Sequence, residues 1–285
     1  MNGILQDKVA VITGGSRGLG FAIAQTYAHA GAKIVIASRS AQSVNEAVDS
    51  LREAGYPATG LACDVADIAQ VDALAAHAVE TFGRIDIWVN NAGLSAPYGP
   101  TAHVPSDHFL HVIQTNIIGT YNGSVVAMRL FTAQKSGKLI NVLGRGDKGS
   151  ISLQNAYSSS KVWVRNFTKA LAQEYRHSGV DVFGFNPGLV KTEMLSHVHA
   201  VSGYEEKLNP LRFVAMLWGN EADVPAEKAL WLASAATDGR SGLFVTVLTA
   251  RMMLARLFAL PFQLFTRSIQ PLDLNITSVK PAVGD

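Results

Sequence analysis

Six short, almost uninterrupted apolar runs recur along the first two thirds of this chain, separated by stretches with helical spacing. The runs fall at residues 9–12, 34–37, 58–63, 85–89, 138–143 and 180–185, and the helical patterns at about 21–30, 41–54, 67–82, 106–134 and 156–178. A strand that is apolar at nearly every position is covered on both faces, and strands joined through helices run parallel. A seventh strand is expected at 243–248, after a helix near 224–235. The pattern predicts a single-domain, doubly wound α/β fold: a seven-stranded parallel sheet with helices on both faces. A chain of 285 residues, 48% of them hydrophobic, can bury such a core as one unit.

Directly after the first run stands Thr-Gly-Gly-Ser-Arg-Gly-Leu-Gly, residues 13–20. A glycine turn between strand and helix lets the backbone approach a pyrophosphate, and the helix N-terminus favours anionic oxygens. In this place it reads as the dinucleotide-binding turn of a Rossmann fold. Further on, Tyr157 and Lys161 stand one helical turn apart and share a helix face. A cation beside a phenol favours the phenolate, so the spacing predicts a tyrosine pKa drawn down towards neutral pH. Such a group can exchange a proton with a carbonyl or an alcohol. Alone, Tyr-x-x-x-Lys fits an exposed amphipathic helix better; the cofactor turn in the same chain gives it weight.

Composition narrows the function classes. A net charge of +2 without a basic stripe gives no reason to expect nucleic acid. The one cysteine, Cys63, closes a strand pattern and reads as a small core residue; no intrachain disulfide can form. The histidines lack metal-ligand spacing, so no metal is expected, and His197 and His199 read as loop residues. Asp7 and Lys8 interrupt the N-terminal segment before any long apolar run, and no run is long enough to span a bilayer; a cytoplasmic protein is expected.

Taken together, the motifs resemble the short-chain dehydrogenase/reductase family over roughly residues 5–250. The turn at 13–20 matches its cofactor motif, which implies contacts from Gly14, Ser16, Arg17, Gly18, Leu19 and Gly20. Asn90-Asn91-Ala92-Gly93 matches its motif after the fourth strand, and Asp64-Val65 its adenine-contacting pair. Asn116 falls where the family keeps an active-site asparagine, and Tyr157 with Lys161 matches the catalytic pair. The segment holding Pro187, Gly188, Val190 and Thr192 matches the stretch whose threonine contacts the nicotinamide amide. The resemblance implies Tyr157 as acid/base, Lys161 lowering its pKa and holding the nicotinamide ribose, and Asn116 positioning a water. For Asn90 and Asn116 the plainer roles, tying strands and capping backbone groups, stay open. The resemblance also implies a homodimer or homotetramer built on helices 106–134 and 156–178, through Phe109, Val112, Ile113, Val162, Val164 and Phe167.

One position departs from the family. Thirteen residues before Tyr157, where the family places a serine, stands Gly144. Losing such a hydrogen-bond donor typically costs roughly 10²–10³ in rate. Three readings stay open: a substitute donor (Ser150, Ser152, Arg145, a backbone N–H or a water), a substrate that needs none, or a protein that has kept nucleotide binding and lost catalysis. Tyr157, Lys161 and Asn116 together favour an enzyme. Chlorophyll b reductases also carry a glycine-containing loop at this strand end, a narrower likeness in pattern only.

Cofactor choice is read from the end of the second strand, where Ser38 stands in place of a carboxylate and Arg39 follows. A carboxylate there would bind a ribose 2′-hydroxyl and repel a 2′-phosphate, whereas a guanidinium suits phosphate. With Arg17 as a second cation in reach, NADP(H) is expected. Residues 189–222 lie past a strand's carboxyl end and read as a substrate loop, apolar and aromatic enough for a hydrophobic substrate. Gly144, Arg145, Ser152 and Met194 are expected to face that substrate. Residues 1–250 then form the catalytic domain and 251–285 an apolar, basic extension. Its stretch 251–267 is broken or kinked at Pro261 and suits its own subunit, a partner or a membrane surface; 273–285 looks extended and loosely held. Two function classes remain: an NADPH-dependent carbonyl reductase or reverse dehydrogenase, and a non-catalytic NADP-binding regulator.

Overall fold

The computed structural model describes residues 3–265 and 273–282, the side chains of 261–265 excepted. Alternation of strand and helix opens with β1 (Val9–Thr13), α1 (Gly18–His29), β2 (Lys33–Ser38), α2 (Ala41–Glu53), β3 (Ala58–Ala62), α3 (Ile68–Phe82) and β4 (Ile87–Asn90). It continues with α4 (Ser106–Val112), α5 (Gly119–Gln134), β5 (Gly137–Val142), α6 (Asn155–Glu174) and β6 (Val180–Asn186). Next come β7 (Leu189–Val190), α7 (Glu193–Ser196), β8 (His197–Val201), α8 (Asn209–Trp218), β9 (Gly219–Asn220), α9 (Asp223–Ala233), β10 (Phe244–Thr246), α10 (Ala250–Phe265) and β11 (Asn275–Val279). The main sheet has seven strands in the order β10-β6-β5-β4-β1-β2-β3. Every pairing in it is parallel. The order reverses beside β1, and ligands of such sheets bind at that switch point, outside the carboxyl ends of the strands.

Period-two alternation feeds two cores from the same strands. Ala10, Ile12, Ile34 and Ile36 point to one face and pack with Ile23 and Tyr27 of α1, Val44 and Val48 of α2 and Leu230 of α9. Val9, Val11, Val35 and Trp88 point to the other and pack with Leu74 of α3, Phe131 of α5 and Leu171 of α6. Each fully buried side chain of this size contributes roughly 1.5–3 kcal/mol over its exposed state.

Five expectations are corrected. The helix at 106–134 is not continuous: residues Ile113–Ile118 form a π-turn between α4 and α5, the kind of bulge that re-aims side chains at functional sites. Residues 189–222 are not a bare loop but hold the β7–β9 pair, α7, β8 and α8. His197 and His199 lie on β8, whose burial alternates in strand fashion: both histidines are exposed while Val198 and Ala200 are buried. The tail is tied down, because β11 pairs with β8 in parallel register from Asn275 opposite His197 to Val279 opposite Val201. Finally, α10 runs through Pro261. The carbonyl that loses its helical donor there belongs to Leu257, whose exposed position lets water replace the bond. The remainder of the 251–267 stretch, Thr266 and Arg267, lies outside the described residues.

Candidate active site

The cofactor turn is built for close approach. Gly14 and Gly18 adopt positive φ (61° and 55°), a conformation glycine reaches without strain. A Cβ on Gly20 would collide with the Gly14 carbonyl and the Asn91 amide, and one on Gly18 would meet Thr192 Cγ2 at 3.3 Å. The turn therefore packs against both the β4 end and the Pro-Gly segment. No side chain caps α1, so the amides of Gly18, Leu19 and Gly20 at its start remain available to an anion. Ser16 is half-buried beside them and Arg17 exposed. Asn91 donates to the carbonyls of Thr13 and Gly14 (both 3.0 Å), and Thr13 Oγ1 accepts from the amides of Asn91 and Ala92. Asn91 thus shapes the turn from behind.

Around the rim, Ser38 ends β2 and Arg39 is exposed. Asp64 accepts from the Ala66 amide, and buried Val65 hands its carbonyl to Asn122. Arg17 is ion-paired with Glu193 across the mouth. Pro187 is buried, and Gly188, at φ 76°, donates its amide N–H to Asn186 Oδ1. Val190 sits in β7, and Thr192 is the N-cap position of α7.

Tyr157 and Lys161 project from the first turns of α6. Lys161 is buried, donates from Nζ to the Val142 carbonyl at 3.0 Å, and lies 5.7 Å from the Tyr157 ring centre. Both Asn116 Oδ1 and Lys161 Nζ come close to the outer side of Gly93, 3.5 and 3.7 Å from where a Cβ there would be. The π-turn aims the Asn116 amide at the Leu94 peptide, bonding its N–H at 2.8 Å and its C=O at 3.0 Å, with a further bond to Ser160 Oγ. The backbone-capping role left open for Asn116 is therefore present. So is the strand-tying role of Asn90, which bonds Asn141 Oδ1 at 2.8 Å and Ser124.

The expected depression of the tyrosine pKa is not found. Burial pushes the Tyr157 phenol up to about 12, with Tyr98 and Asp147 adding to the rise. Burial also brings the Lys161 ammonium down to about 8. Desolvation of both groups outweighs their mutual help, because the ammonium is turned to the Val142 carbonyl. At neutral pH the pair is a protonated phenol beside a mostly charged lysine.

At Gly144 the geometry is unusual. A Cβ there would fall on the Tyr157 hydroxyl, so the phenol occupies the space where a serine side chain would start. The amides of Gly144, Arg145 and Gly146 donate to no protein acceptor among the described residues. Arg145 and Ser152 are exposed, and Met194 is 47% exposed on α7. Ser150 is exposed on the same loop. Tyr98, bridged to β8 through Ala200, lies beside Arg145 and Gln154, and burial raises its pKa.

Sequence reasoning missed Asp147 and Arg165, and gave Asn186, which opens the Pro-Gly segment, no role of its own. Arg165 Nη1 bonds Asp147 Oδ2 at 2.8 Å, and Asn186 Nδ2 bonds both Asp147 Oδ1 and the Gly144 carbonyl at 3.1 Å. An aspartate between glycines reads as an exposed turn; the only available signal was an arginine one turn beyond Lys161 on the same helix face.

Set against known proteins, residues 8–202 match the family model for short chain dehydrogenase. The chain belongs to the short-chain dehydrogenase family. A candidate ketoacyl reductase of the granaticin polyketide synthase of Streptomyces violaceoruber is 37% identical over 198 residues, covering 69% of this chain and 72% of that protein. The crystal structure of a candidate NAD(P)-dependent gluconate 5-dehydrogenase from Beutenbergia cavernae, with bound NADP, superposes at TM-score 0.75 with 27% identity. It covers 85% of this chain and 96% of that one. A 3-ketoacyl-(acyl-carrier-protein) reductase from Brucella melitensis complexed with NADH gives TM-score 0.76 and 28% identity, covering 87% and 99%. The narrower likeness is present too: a candidate chlorophyll(ide) b reductase of Oryza sativa subsp. japonica is 33% identical over 204 residues, 65% of this chain and 40% of that protein. Two of these structural neighbours thus hold a nicotinamide cofactor, NADP in one and NADH in the other.

Proposed function

We propose that this short-chain dehydrogenase is an NADP(H)-dependent oxidoreductase that interconverts a carbonyl and an alcohol on a hydrophobic small molecule. The observation that carries the reading is geometric: the Tyr157 hydroxyl rests against Gly144 after β5, and Lys161 Nζ, one helical turn on, lies against the Val142 carbonyl and beside Gly93 after β4. A bound reduced nicotinamide supplies the hydride. Tyr157 then donates its proton to the carbonyl oxygen as charge develops there, and Lys161 stabilises the phenolate left behind. Asn116, next to Lys161 across Gly93, is assigned to hold a water through which the proton is restored.

With no serine hydroxyl, the reacting oxygen is received by the unengaged amides at 144–146, the backbone form of a substitute donor. NADP(H) is favoured because Arg39 is exposed at the β2 end, where Ser38 stands in place of a carboxylate. Arg17 supports it less directly: its exposed pair with Glu193 is weak, so a phosphate can compete for the guanidinium. Apolar surface at Met194 and Phe213 suits a hydrophobic substrate. Residues 1–250 carry this chemistry and 251–285 complete the substrate side through β11. The exposed Leu254, Leu257 and Phe258 of α10 fit contact with a partner or a membrane surface.

Tyr157→Phe tests the reading. NADPH-dependent reduction across a panel of hydrophobic ketones and aldehydes should vanish while NADPH binding stays within about twofold. Turnover that survives the substitution would remove Tyr157 as the acid/base, whereas absence of turnover in both proteins would move the chain to the second reading, a cofactor-binding regulator. That alternative draws on Gly144.

A further inference from the structure

Asp147 has no role in the reading above, yet it is buried (5% exposed) directly behind the reacting pair. A carboxylate out of water needs partners for both oxygens. One is Arg165, one helical turn beyond Lys161 on α6, whose guanidinium is itself held 4.5 Å over the Phe244 ring of β10. The other is Asn186 at the end of β6, which also holds the Gly144 carbonyl. The Asp147 amide closes a turn onto that same carbonyl at 3.2 Å. Three elements therefore converge on one acid, and through it on the backbone against which the Tyr157 hydroxyl rests.

We propose that Asp147 is a positioning residue of the reaction: clamped by Arg165 and Asn186, it fixes the 144–147 turn against Tyr157 and keeps a negative charge beside the Tyr157–Lys161 pair. This rests on the reductase reading for its purpose, but its electrostatic part does not need turnover to be observed. The groups that act on the pair are Asp147 from the turn and Tyr98 from the segment after β4; Arg165 from α6 meets Asp147, and Arg145 meets Tyr98. Of these, Asp147 opposes the fall of the Lys161 pKa and adds to the rise of Tyr157. Both effects favour the state that carbonyl reduction requires, a charged lysine and a protonated phenol. A glycine turn without a serine gains from such a clamp, since its backbone amides must be held in place without a side chain.

The test compares wild type with Asp147→Asn and Arg165→Gln. The Lys161 titration is followed by NMR of lysine-Cε-labelled protein and assigned with Lys161→Arg. Asp147→Asn removes the negative charge and should lower the Lys161 midpoint by roughly half a pH unit or more. Arg165→Gln leaves Asp147 uncompensated and should raise it. In active enzyme the alkaline limb of kcat/KM should move the same way as each midpoint. Opposite shifts establish the clamp as electrostatic. Unmoved midpoints, or shifts of the same sign, overturn the proposal, as a general loosening of the site would give no such reversal. Should Asp147→Asn fail to fold, the upward shift in Arg165→Gln is still required. Loss of the reductase reading would appear separately, as absence of turnover in wild type and Tyr157→Phe alike.

Discussion

The Tyr157 hydroxyl lies in the space that a side chain on Gly144 would need to enter, with the phenol carbon Cζ and Lys161 Cε 3.2 and 3.5 Å from the same point. The glycine is therefore part of how the tyrosine is seated as well as a missing donor. Gly144→Ala and Gly144→Ser should both displace the phenol and lower kcat, on the order of 10²-fold for a misplacement near 1 Å. Activity restored by serine but not by alanine would show that the hydroxyl, and not the seat, is what the site lacks. Kinetics of the two variants with a common ketone separate these outcomes.

Lys161 sets the pH dependence. Its folded pKa, brought down to about 8 by burial, lies below the ordinary lysine value. Its charge is thus present at pH 7 and lost as pH rises through about 8, while Tyr157 stays protonated to about 12. Carbonyl reduction should be fastest below pH 8 and fall above it, measured as kcat/KM from pH 6 to 10. A profile flat to pH 10 would remove Lys161 as the titrating group.

Much of this was legible in the chain because the fold is governed by periodicity. Val9, Val11, Ile34 and Ile36 sort to two faces by position alone, and five motifs name the elements that meet at the carboxyl edge. What was not legible depends on three-dimensional environment. The direction of the Tyr157 shift follows from how deeply α6 is packed, which spacing does not encode. Asp147 looks like a solvated turn residue until β6 brings Asn186 against it. The β8–β11 pair joins segments some eighty residues apart, and neither strand's short mixed pattern announces its partner.

Cofactor preference follows from the β2 end. NADPH should bind more tightly than NADH, and Arg39→Glu should reverse or erase the preference. Because Arg17 is held by Glu193, Glu193→Gln should tighten NADPH selectively if Arg17 also serves the 2′-phosphate. Fluorescence titration with both cofactors decides each case; equal affinities in wild type would refute the NADP(H) assignment.

The outer faces of α5 and α6 carry an aromatic cluster: Trp163 stacks on Phe167 at 4.7 Å, and Tyr121, 47% exposed, lies 6.1 Å from Phe167. Phe109 is also exposed, whereas Val112 and Val164 are already buried within the subunit. A homodimer or homotetramer through this face is expected. Light scattering at micromolar concentration should give at least a dimer, and Tyr121→Asp with Phe167→Asp should weaken it. A wild-type monomer would exclude the assembly.

Removal of the tail should separate substrate binding from cofactor binding. Leu274 is buried with Val198, Ala200, Leu208 and Leu211 in a small cluster of its own, and β11 covers the edge of β8, to which Tyr98 is bridged on the other side. Loss of one such leucine costs roughly 2–5 kcal/mol where it packs. The substrate side should feel it most, because among the described residues no residue of β11 belongs to either main core. A chain ending at residue 272 should keep its NADPH affinity while KM for the ketone rises by tenfold or more. Leu274→Asp should do the same in milder form. A truncated protein with unchanged KM would show that the β8–β11 sheet has no part in holding substrate, and equal losses of NADPH and substrate binding would show that it supports the whole fold.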